Sequence, residues 1–503
     1  MENLKLFVCS THDTLTLFWD KPESAEAEQM YLVLLNDQPV AQIQRTHYTI
    51  EGLEPDSVYD VGITCETKAG KIWRCSQGRT TALRRRIDIS KPPYFAVGDG
   101  QTLNTVSLQR ALDDCGKNDC VYFPAGVYMT GALRGHSDME IYLDEGAVLQ
   151  GTDNVEDYLP RIRSRFEGYE MECYSSVLNF GELDHTSGPN CENVLIHGKG
   201  TIASGGQMLC LRVIDSERER LREYLAANAE LVATCENDHT IPGRVRPRLI
   251  NLSNCRNVRI SGLTLKNGAA WNLHMIYCDG IITDHCIFRS EGVWNGDGWD
   301  PDSSENCTLF ASQFYTGDDA VAIKSGKNPE GNVIARPSRH IRVFDCYSAF
   351  GHGIVMGSEM SGGIEDVRIW DCDLRVSMSG LEIKATKKRG GYVKNISVRD
   401  CVIPRVMMHS VLYNDDGIGA PVPPVLSDCC FERLTLTGLY QASHDGGDMR
   451  PCKAIELVGF DVPGHEINNI TFRNVVIAND SLGTELKYVK HISFENITCT
   501  QEV

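Results

Sequence analysis

The sequence has no run of 18 or more apolar residues, so it predicts no transmembrane helix. It is also short of basic residues: 49 Lys and Arg stand against 68 Asp and Glu, which gives a formal net charge of −19. That balance argues against nucleic acid and anionic membranes as partners. A negatively charged substrate would need a local cluster of cations. The 503 residues suffice for one elongated repeat domain and a smaller second domain.

The first residues lack the features of a secretory leader, which are a basic segment, an apolar core and a small-residue cleavage site. Twenty cysteines are spread along the chain rather than concentrated in a short disulfide-rich module. Several recur at one position of a repeat, which is typical of buried reduced thiols. We therefore expect a cytoplasmic protein. The alternative is a secreted or periplasmic protein from which the leader has been removed.

Residues 1–86 have the pattern of a small β-sandwich, because short apolar runs alternate with turn residues. The runs lie at 15–20, 30–36, 39–44, 47–53 and 58–67. Trp19, the turn at Leu53-x-Pro55 and Tyr59 resemble the core tryptophan and the tyrosine corner of a fibronectin type III module. A generic all-β module is the alternative. In either case we expect a spacer or positioning role.

Residues 87–503 predict an all-β domain of another kind, a right-handed parallel β-helix. Similar segments of two short strands start at 257, 280, 306, 340, 366 and 395. Such periods are typical of solenoids and propellers, but these units are too short for the four strands of a propeller blade. We expect a helix over Thr105–Cys115 to cap one end. A charged helical insertion over Asp215–Asp238 is expected to cover one rim.

Cysteines mark one position of this repeat. We place the following residues in one row along the stacked coils: Cys286, Cys346, Cys372, Cys401, Asn474 and Asn496. Stacking would align their side chains in a ladder that points into the core. Buried thiols in such ladders are ordinarily packing residues. We therefore expect no metal or redox site in this row.

The stretch 294–326 and two later segments carry the strongest functional signal. Their four short elements are Asn295-Gly296-Asp297, Gly317-Asp318-Asp319, Gly351-His352-Gly353 and Glu382-Ile383-Lys384. Asp318 follows Asp297 by 21 residues, His352 follows Asp318 by 34, and Lys384 follows His352 by 32. Separations of about one coil place residues on the same face of a solenoid. The four elements would therefore line one groove.

Clustered aspartates at this spacing suit one kind of chemistry in particular. Carboxylates raise one another's pKa, because like charges close together resist joint ionisation. Cleavage of a glycosidic bond needs two carboxyl groups with different pKa values. A protonated carboxyl gives its proton to the leaving oxygen, while an ionised one activates water. Asp297, Asp318 and Asp319 are the candidates for these roles.

The four elements, in this order, resemble those of glycoside hydrolase family 28, the polygalacturonase family. Its markers are Asn-x-Asp, Gly-Asp-Asp, Gly-His-Gly and Arg-Ile-Lys, and the resemblance covers about residues 90–500. It implies that Asp318 is the general acid and that Asp297 and Asp319 act as the base that holds the attacking water. It also implies that His352 controls the proton on the acid or contacts substrate.

The resemblance assigns further residues to the groove. Asn295 would fix a turn and contact substrate, while Trp271 and His274, which belong to a WNLH segment also typical of the family, would form structural walls. Lys384 resembles the lysine that binds a substrate carboxylate near the cleavage point. Glu382 stands where the family has arginine, so two cations become one cation and one anion.

This replacement leaves two possibilities for the substrate. Lys387, Lys388 or Arg389 could supply the missing cation, although a solvated turn is the alternative for all three. If none of them does, Glu382 could accept hydrogen bonds from the hydroxyl groups of a neutral sugar. Unmodified homogalacturonan would then be a poor substrate.

We therefore expect an inverting glycoside hydrolase that cleaves α-linked galacturonides of pectic oligosaccharides from chain ends, without a metal or another cofactor. A hydrolase of a rhamnogalacturonan side chain or of a neutral-sugar glycoside is the first alternative. A pectate lyase-like enzyme would need calcium ligands and an arginine base. A non-catalytic carbohydrate-binding β-helix would not need the aspartates. The sequence gives no indication of the oligomeric state.

Overall fold

The computed structural model describes residues 5–235, 237–412, 415, 417–443 and 446–500. The chain divides into two compact units, residues 1–86 and residues 87–503. Among the described residues, no helix combines the length and the apolar character needed to cross a membrane.

The first unit is built from two antiparallel sheets. One contains Leu6–Ser10, Leu15–Trp19 and His47–Ile50, and the other contains Gln38–Ile43, Tyr31–Leu35, Val58–Thr67 and Gly70–Arg79. Trp19 is fully buried and packs edge-on against Tyr31, with ring centroids 5.2 Å apart. Because both sheets contribute side chains to this one core, the small N-terminal β-domain expected from the sequence is confirmed.

The second unit is the expected parallel β-helix, whose coils are formed by three long parallel sheets, named A, B and C. Sheet A contains Asp119–Phe123, Glu140–Leu143, Cys191–Gly198, Cys255–Ser261, Asp279–Asp284, Thr308–Phe310, Ser338–Phe344, Ile364–Trp370, Tyr392–Arg399, Val402–Ile403, Val425–Glu432, Thr435–Leu436, Ile467–Ile477 and Val489–Cys499. A strand at Arg85–Asp88 precedes them in the chain. Sheet B contains Asp99–Leu103, Gly126–Thr130, Ala147–Gly151, Thr201–Ala203, Thr264–Lys266, Ile287–Arg289, Gln313–Tyr315 and Tyr347–Ser348.

Sheet C carries the groove described below. It contains Leu133–Arg134, Leu178–Phe180, Ile250–Ser253, Leu273–Ile276, Trp299–Asp302, Val321–Ile323, Gly353–Met356, Gly380–Ala385, Arg405–Ser410, Ile455–Val458 and Thr484–Lys487. Two antiparallel hairpins stand outside the coils, Ile162–Phe166 with Tyr169–Cys173 and Leu439–Gln441 with Met449–Pro451. Side chains alternate along each strand of sheet C, so every second residue faces away from the core.

Helices occur at the end of the solenoid and in its loops. The helix Thr105–Asp113 buries Leu108, Ala111 and Leu112 in the core, as expected of an end cap. The expected insertion is also helical, but it begins earlier than predicted, at Gly206. Its helices are Gly206–Arg220, Arg222–Ala227, Ala229–Ala233 and Thr240–Gly243. A short helix at Glu330–Ile334 and a 3₁₀ turn at Val155–Tyr158 complete the set in the part of the chain that the structure describes.

The ladder of buried thiols is confirmed for Cys286, Cys346, Cys372 and Cys401. Placing Asn474 and Asn496 in the same row was wrong by one residue, because the register puts Val475 and Ile497 there. The two asparagines lie just before, with φ values of 54° and 55°. This left-handed turn is tolerated by Asn and Asp. The same turn position in earlier coils is taken by Asp345, Asp371 and Asp400.

Candidate active site

Three of the predicted site residues occupy equivalent positions on successive coils. In sheet C, Trp299 pairs with Val321, which pairs in turn with Ile354. Two residues before each of these stand Asp297, Asp319 and His352, respectively. The backbone hydrogen bond from the N–H of Gly298 to the carbonyl of Asp319 (N···O 2.9 Å) fixes the first step of this row. Coil spacing in the sequence therefore becomes side-by-side placement in the groove.

Asp297 forms a buried ion pair that the sequence analysis did not identify. Lys324 Nζ lies 3.0 Å from Asp297 Oδ2, and the two side chains are 6% and 4% exposed. Burial raises the pKa of Asp297 to about 8, Lys324 opposes the shift, and Asp318 and Asp319 add to it. A carboxylate whose pKa lies near neutrality suits a base that accepts a proton from water.

His352 lies between the two adjacent aspartates. Its Nδ1 atom is 2.7 Å from Asp319 Oδ1 and 3.0 Å from Asp318 Oδ1. Burial alone would lower the pKa of His352, but the hydrogen bonds to Asp318 and Asp319 and their negative charges raise it well above its usual value. The imidazole therefore keeps a proton between Asp318 and Asp319 and holds both side chains in place.

Among the described residues, one group could hold a metal ion: it consists of Asp318, Asp319 and His352. One ligand atom from each lies within 4.8 Å of the others. A metal would need the lone pair of a neutral imidazole nitrogen. The raised pKa of His352 keeps a proton on the ring beside Asp318 and Asp319. The hydrogen bonds and the proton on His352 make these three residues a proton-sharing cluster.

Asn295 has the expected structural role. Its backbone is left-handed, with φ of 51°, and its Oδ1 accepts a hydrogen bond of 2.7 Å from Arg246 Nη2. Arg246 also donates to the backbone carbonyls of Gly243 and Trp294. Both Asn295 and Arg246 line the groove. The turn that presents Asp297 is therefore held by an arginine that precedes it by two coils.

Glu382 is already paired within the protein. Its Oε1 atom lies 2.7 Å from His409 Nε2 on the next coil. Burial would raise the pKa of Glu382, but Lys384 and the hydrogen bond from His409 hold it below its usual value. Lys384 in turn has its Nζ 3.9 Å from Asp319 Oδ2. The anion that replaces the family arginine is balanced by His409 and Lys384.

The three cations proposed from the sequence do not take this role. Arg389 is fully buried, where it donates to the carbonyl of Ser358 (2.8 Å) and to Asn328. Lys388 donates to the backbone of Asp415 at 2.7 Å. Lys387 is exposed and lies outside the groove lining. None of the three lines the groove, so of the two possibilities that the sequence left open, a compensating cation from this turn is not supported.

The two residues of the WNLH segment differ in position. Trp271 lines the groove, and Lys324 Nζ lies 4.2 Å from the centre of its ring. His274 is fully buried behind this wall, with Nε2 3.3 Å from Asp302 Oδ2. Burial lowers the pKa of His274 to about 3, so the ring is neutral. Trp271 is a groove wall as expected, whereas His274 supports the strand beneath it.

All seven site residues predicted from the sequence line one cavity of about 1030 Å³. The cavity also supplies the local cations that a net charge of −19 made necessary for an anionic ligand. They are Arg244, Arg246, Lys324, Lys384 and Arg405. Lys324 could have been found as a lone cation ending the apolar run Val321–Ile323 directly after the aspartate pair. Arg246 and Arg405 stand in no motif.

A groove on a parallel β-helix that holds paired carboxylates and several cations is suited to acid–base cleavage of a glycosidic bond. The chain belongs to glycoside hydrolase family 28: the family model described as glycosyl hydrolases family 28 matches residues 166–416. The protein is therefore a glycoside hydrolase.

Similar proteins agree with this assignment. An exo-poly-alpha-D-galacturonosidase of Dickeya chrysanthemi is 28% identical over 463 residues, which span 84% of this chain and 76% of the relative. The solved family 28 exopolygalacturonase of Yersinia enterocolitica has a TM-score of 0.82 at 20% identity, covering 98% of this chain and 96% of its own. The exopolygalacturonase of Thermotoga maritima has a TM-score of 0.68 at 25% identity, covering 83% and 92%.

Proposed function

We propose that the protein hydrolyses α-linked galacturonides of pectic oligosaccharides from chain ends, with inversion of the anomeric carbon. One observation carries the proposal: Asp297, Asp319 and His352 stand in one row of a groove whose floor and rim carry lysines and arginines. The paired carboxylates supply acid–base catalysis, and the cations suit an acidic sugar. The names of the Dickeya, Yersinia and Thermotoga proteins support the same substrate and the same exo action.

The chemistry needs a protonated and an ionised carboxyl on opposite sides of the scissile bond. We assign the acid to Asp318, whose side chain is 23% exposed and can reach the leaving oxygen. Asp297 and Asp319 hold the water, because both are almost fully buried and accept hydrogen bonds from Lys324 and His352 respectively. These contacts orient the carboxylates of Asp297 and Asp319, which act as the base, toward the sugar.

The helical insertion supports action on chain ends. Its segment between Gly206 and Gly243 contributes one wall of the cavity, formed by Ile214, Thr234, Cys235, Asn237, His239 and Thr240. Trp294 stands at the same wall, 46% exposed, with its ring 5.3 Å from that of His239. A wall limits how far a glycan chain can extend past the cleavage point. It therefore favours a terminal sugar over the middle of a polymer.

The test is a product analysis on trigalacturonate, polygalacturonate and rhamnogalacturonan oligomers. Exo action predicts release of one small product from the first minutes, with little loss of viscosity from the polymer. Early proton NMR should show the β-anomer of the newly formed reducing end. An initial α-anomer contradicts inversion, and an unsaturated product absorbing in the ultraviolet indicates a lyase.

The neutral-sugar alternative has less support from the structure. It requires Glu382 to accept hydrogen bonds from substrate hydroxyls. The side chain of Glu382 is 8% exposed, and its Oε1 already accepts the hydrogen bond from His409. Faster turnover of a neutral glycoside than of trigalacturonate would nevertheless favour it.

We also propose that the N-terminal unit is a fibronectin type III module with a spacer or positioning role. The buried Trp19 supports this assignment, and so does the hydrogen bond of 2.9 Å from the backbone N–H of Glu54 to the hydroxyl of Tyr59, which resembles a tyrosine corner. Removal of residues 1–86 should leave kcat on trigalacturonate within about twofold, provided that the β-helix remains folded. A large loss of kcat would show a direct catalytic contribution.

We further propose a cytoplasmic location. All 20 cysteines lie within the described residues, and none of them forms a disulfide. Proteins of reducing compartments keep their thiols in this state. Fractionation of the source cells with an antibody tests the proposal, and recovery of the protein from the medium or the periplasm contradicts it.

A further inference from the structure

Arg405 stands at the groove on the coil that follows Lys384. It begins the strand Arg405–Ser410 and pairs in register with Gly380, the first residue of the strand that carries Glu382 and Lys384. Its side chain lines the cavity together with Met378 and those two residues. No sequence element or comparison assigned it a function.

The donors of Arg405 are incompletely used. Nη2 donates to the carbonyl of Met378 at 3.2 Å, and the guanidinium lies 5.0 Å from the ring centre of Tyr440. Nε is buried and has no hydrogen-bond partner. Within the described residues, no carboxylate lies within ion-pair distance of Arg405. A buried donor left without a partner is unfavourable, so an acceptor from outside the protein would be stabilised there.

The other cavity cations are already engaged by the protein. Arg244 Nε lies 2.8 Å from Glu167, Lys324 lies 3.0 Å from Asp297, and Lys384 lies 3.9 Å from Asp319. The donors of Arg246 are bonded to Asn295 and to backbone carbonyls, as described above.

Charge balance points to the same residue. Lys324 lies within ion-pair distance of Asp297, and Lys384 and His352 lie within ion-pair distance of Asp319, so each of these cations already faces a carboxylate of the protein. Glu382, which is hydrogen-bonded to His409, adds a further carboxylate beside Lys384. A substrate carboxylate entering this region therefore needs a further cation, and a guanidinium binds a carboxylate through two parallel hydrogen bonds.

We propose that Arg405 binds the carboxylate of the galacturonate that lies beside Lys384, in place of the arginine that Glu382 has replaced. The inference rests on the proposed function, because it assumes an acidic sugar in the groove. It makes Arg405 a specificity-determining residue: it favours a free carboxylate over a methyl ester or a neutral sugar at that position.

The experiment compares trigalacturonate with its methyl ester, using the full-length protein and the variants Arg405→Gln and Arg405→Lys. A lost charge-assisted hydrogen bond corresponds to roughly 10- to 100-fold in affinity. Arg405→Gln should raise KM for the acid by about that factor while kcat stays within about threefold. KM for the ester should change little, so the preference of the enzyme for the acid should collapse. Arg405→Lys should recover part of that preference.

Lys387→Gln is the matched control, because Lys387 is an exposed cation outside the cavity and its loss should leave KM unchanged. Circular dichroism and the melting temperature establish that each variant is folded. Equal rises of KM for acid and ester would show that Arg405 only supports the loop of Met378, and an unchanged KM for the acid would also overturn the inference. Wild-type protein that neither cleaves nor binds trigalacturonate overturns the proposed function together with it.

If Arg405→Gln does not fold, binding to the wild-type protein decides the question. Titration of Asp318→Asn with trigalacturonate and with its ester should then show at least about tenfold tighter binding of the acid. Equal affinities would overturn the assignment. If trigalacturonate is still cleaved although the two affinities are equal, the proposed function is supported and only the role of Arg405 is rejected.

Discussion

Lys324 Nζ lies 3.0 Å from Asp297 Oδ2 in the floor of the groove, with both side chains almost completely buried. The nearby carboxylates of Asp297, Asp300, Glu359 and Asp319 outweigh the effect of burial and raise the pKa of Lys324 well above its usual value. The lysine is therefore a permanent cation beside the catalytic base. Its charge opposes the effect of burial on Asp297, and the proton affinity of the base depends on it.

Lys324→Met should lower kcat/KM at neutral pH and shift the acidic limb of its pH profile upward. The reason is that Lys324 opposes the effect of burial on the pKa of Asp297, which is about 8 with the lysine in place and should rise further without it. Removing one partner of a buried pair typically costs about 3–5 kcal/mol of stability, so the melting temperature should also fall. Lys324→Arg is the matched variant that keeps the charge. A normal pH profile in a folded Lys324→Met protein would contradict the role of this pair.

Replacement of the catalytic aspartates should abolish turnover without loss of folding. Asp318→Asn removes the acid, while Asp297→Asn and Asp319→Asn remove the base. General acid–base groups contribute roughly 10²- to 10⁴-fold each. Release of reducing sugar from trigalacturonate measures the loss, and thermal melting monitors the fold. Losses below about tenfold in all three variants would refute the assignment of the site.

His352 should stabilise the fold in a pH-dependent manner. Its pKa in the folded protein lies above the value of the unfolded chain, because Asp318 and Asp319 hold the proton. This contribution is complete below the unfolded value of about 6.5 and is lost as the pH rises through the folded pKa. The melting temperature of wild type should exceed that of His352→Gln most at about pH 6 and least at alkaline pH. A difference that grows with pH would contradict the ion cluster.

Glu382→Arg restores the residue that the family motif has, and the sequence alone suggests a gain on galacturonides. The structure predicts the opposite. A guanidinium at this position would face His409 and Lys384 and would break a buried pair. We expect a lower melting temperature and slower cleavage of trigalacturonate, with a smaller loss for Glu382→Gln. A stable Glu382→Arg protein with faster turnover would show that His409 does not need the glutamate.

Chelation should leave the activity unchanged. Although Asp318, Asp319 and His352 place ligand atoms close together, the proton on His352 and the hydrogen bonds among them account for the geometry. Turnover of trigalacturonate before and after dialysis against a chelator measures the effect. A loss that calcium or zinc reverses would require a metal at the site.

The solenoid explains why much of the site could be predicted. In a repeat of stacked coils, separation along the sequence translates directly into position on a face. The spacing of Asp297, Asp318, His352 and Lys384 was therefore sufficient to place them in one groove. The alternation of side chains and the recurring cysteines indicated the β-helix by the same reasoning, with an error of one residue at Asn474 and Asn496.

The partners of these residues were decided by the tertiary structure alone. Lys324 reaches Asp297, His409 reaches Glu382 and Arg405 reaches the groove because neighbouring coils are brought into a particular register. Arg389, which the sequence made a plausible cation for the groove, instead folds back to Asn328 and Ser358. The sequence by itself determined the fold and the row of acids. Side-chain contacts between coils, which depend on loop paths of varying length, decided how each charge in the groove is balanced.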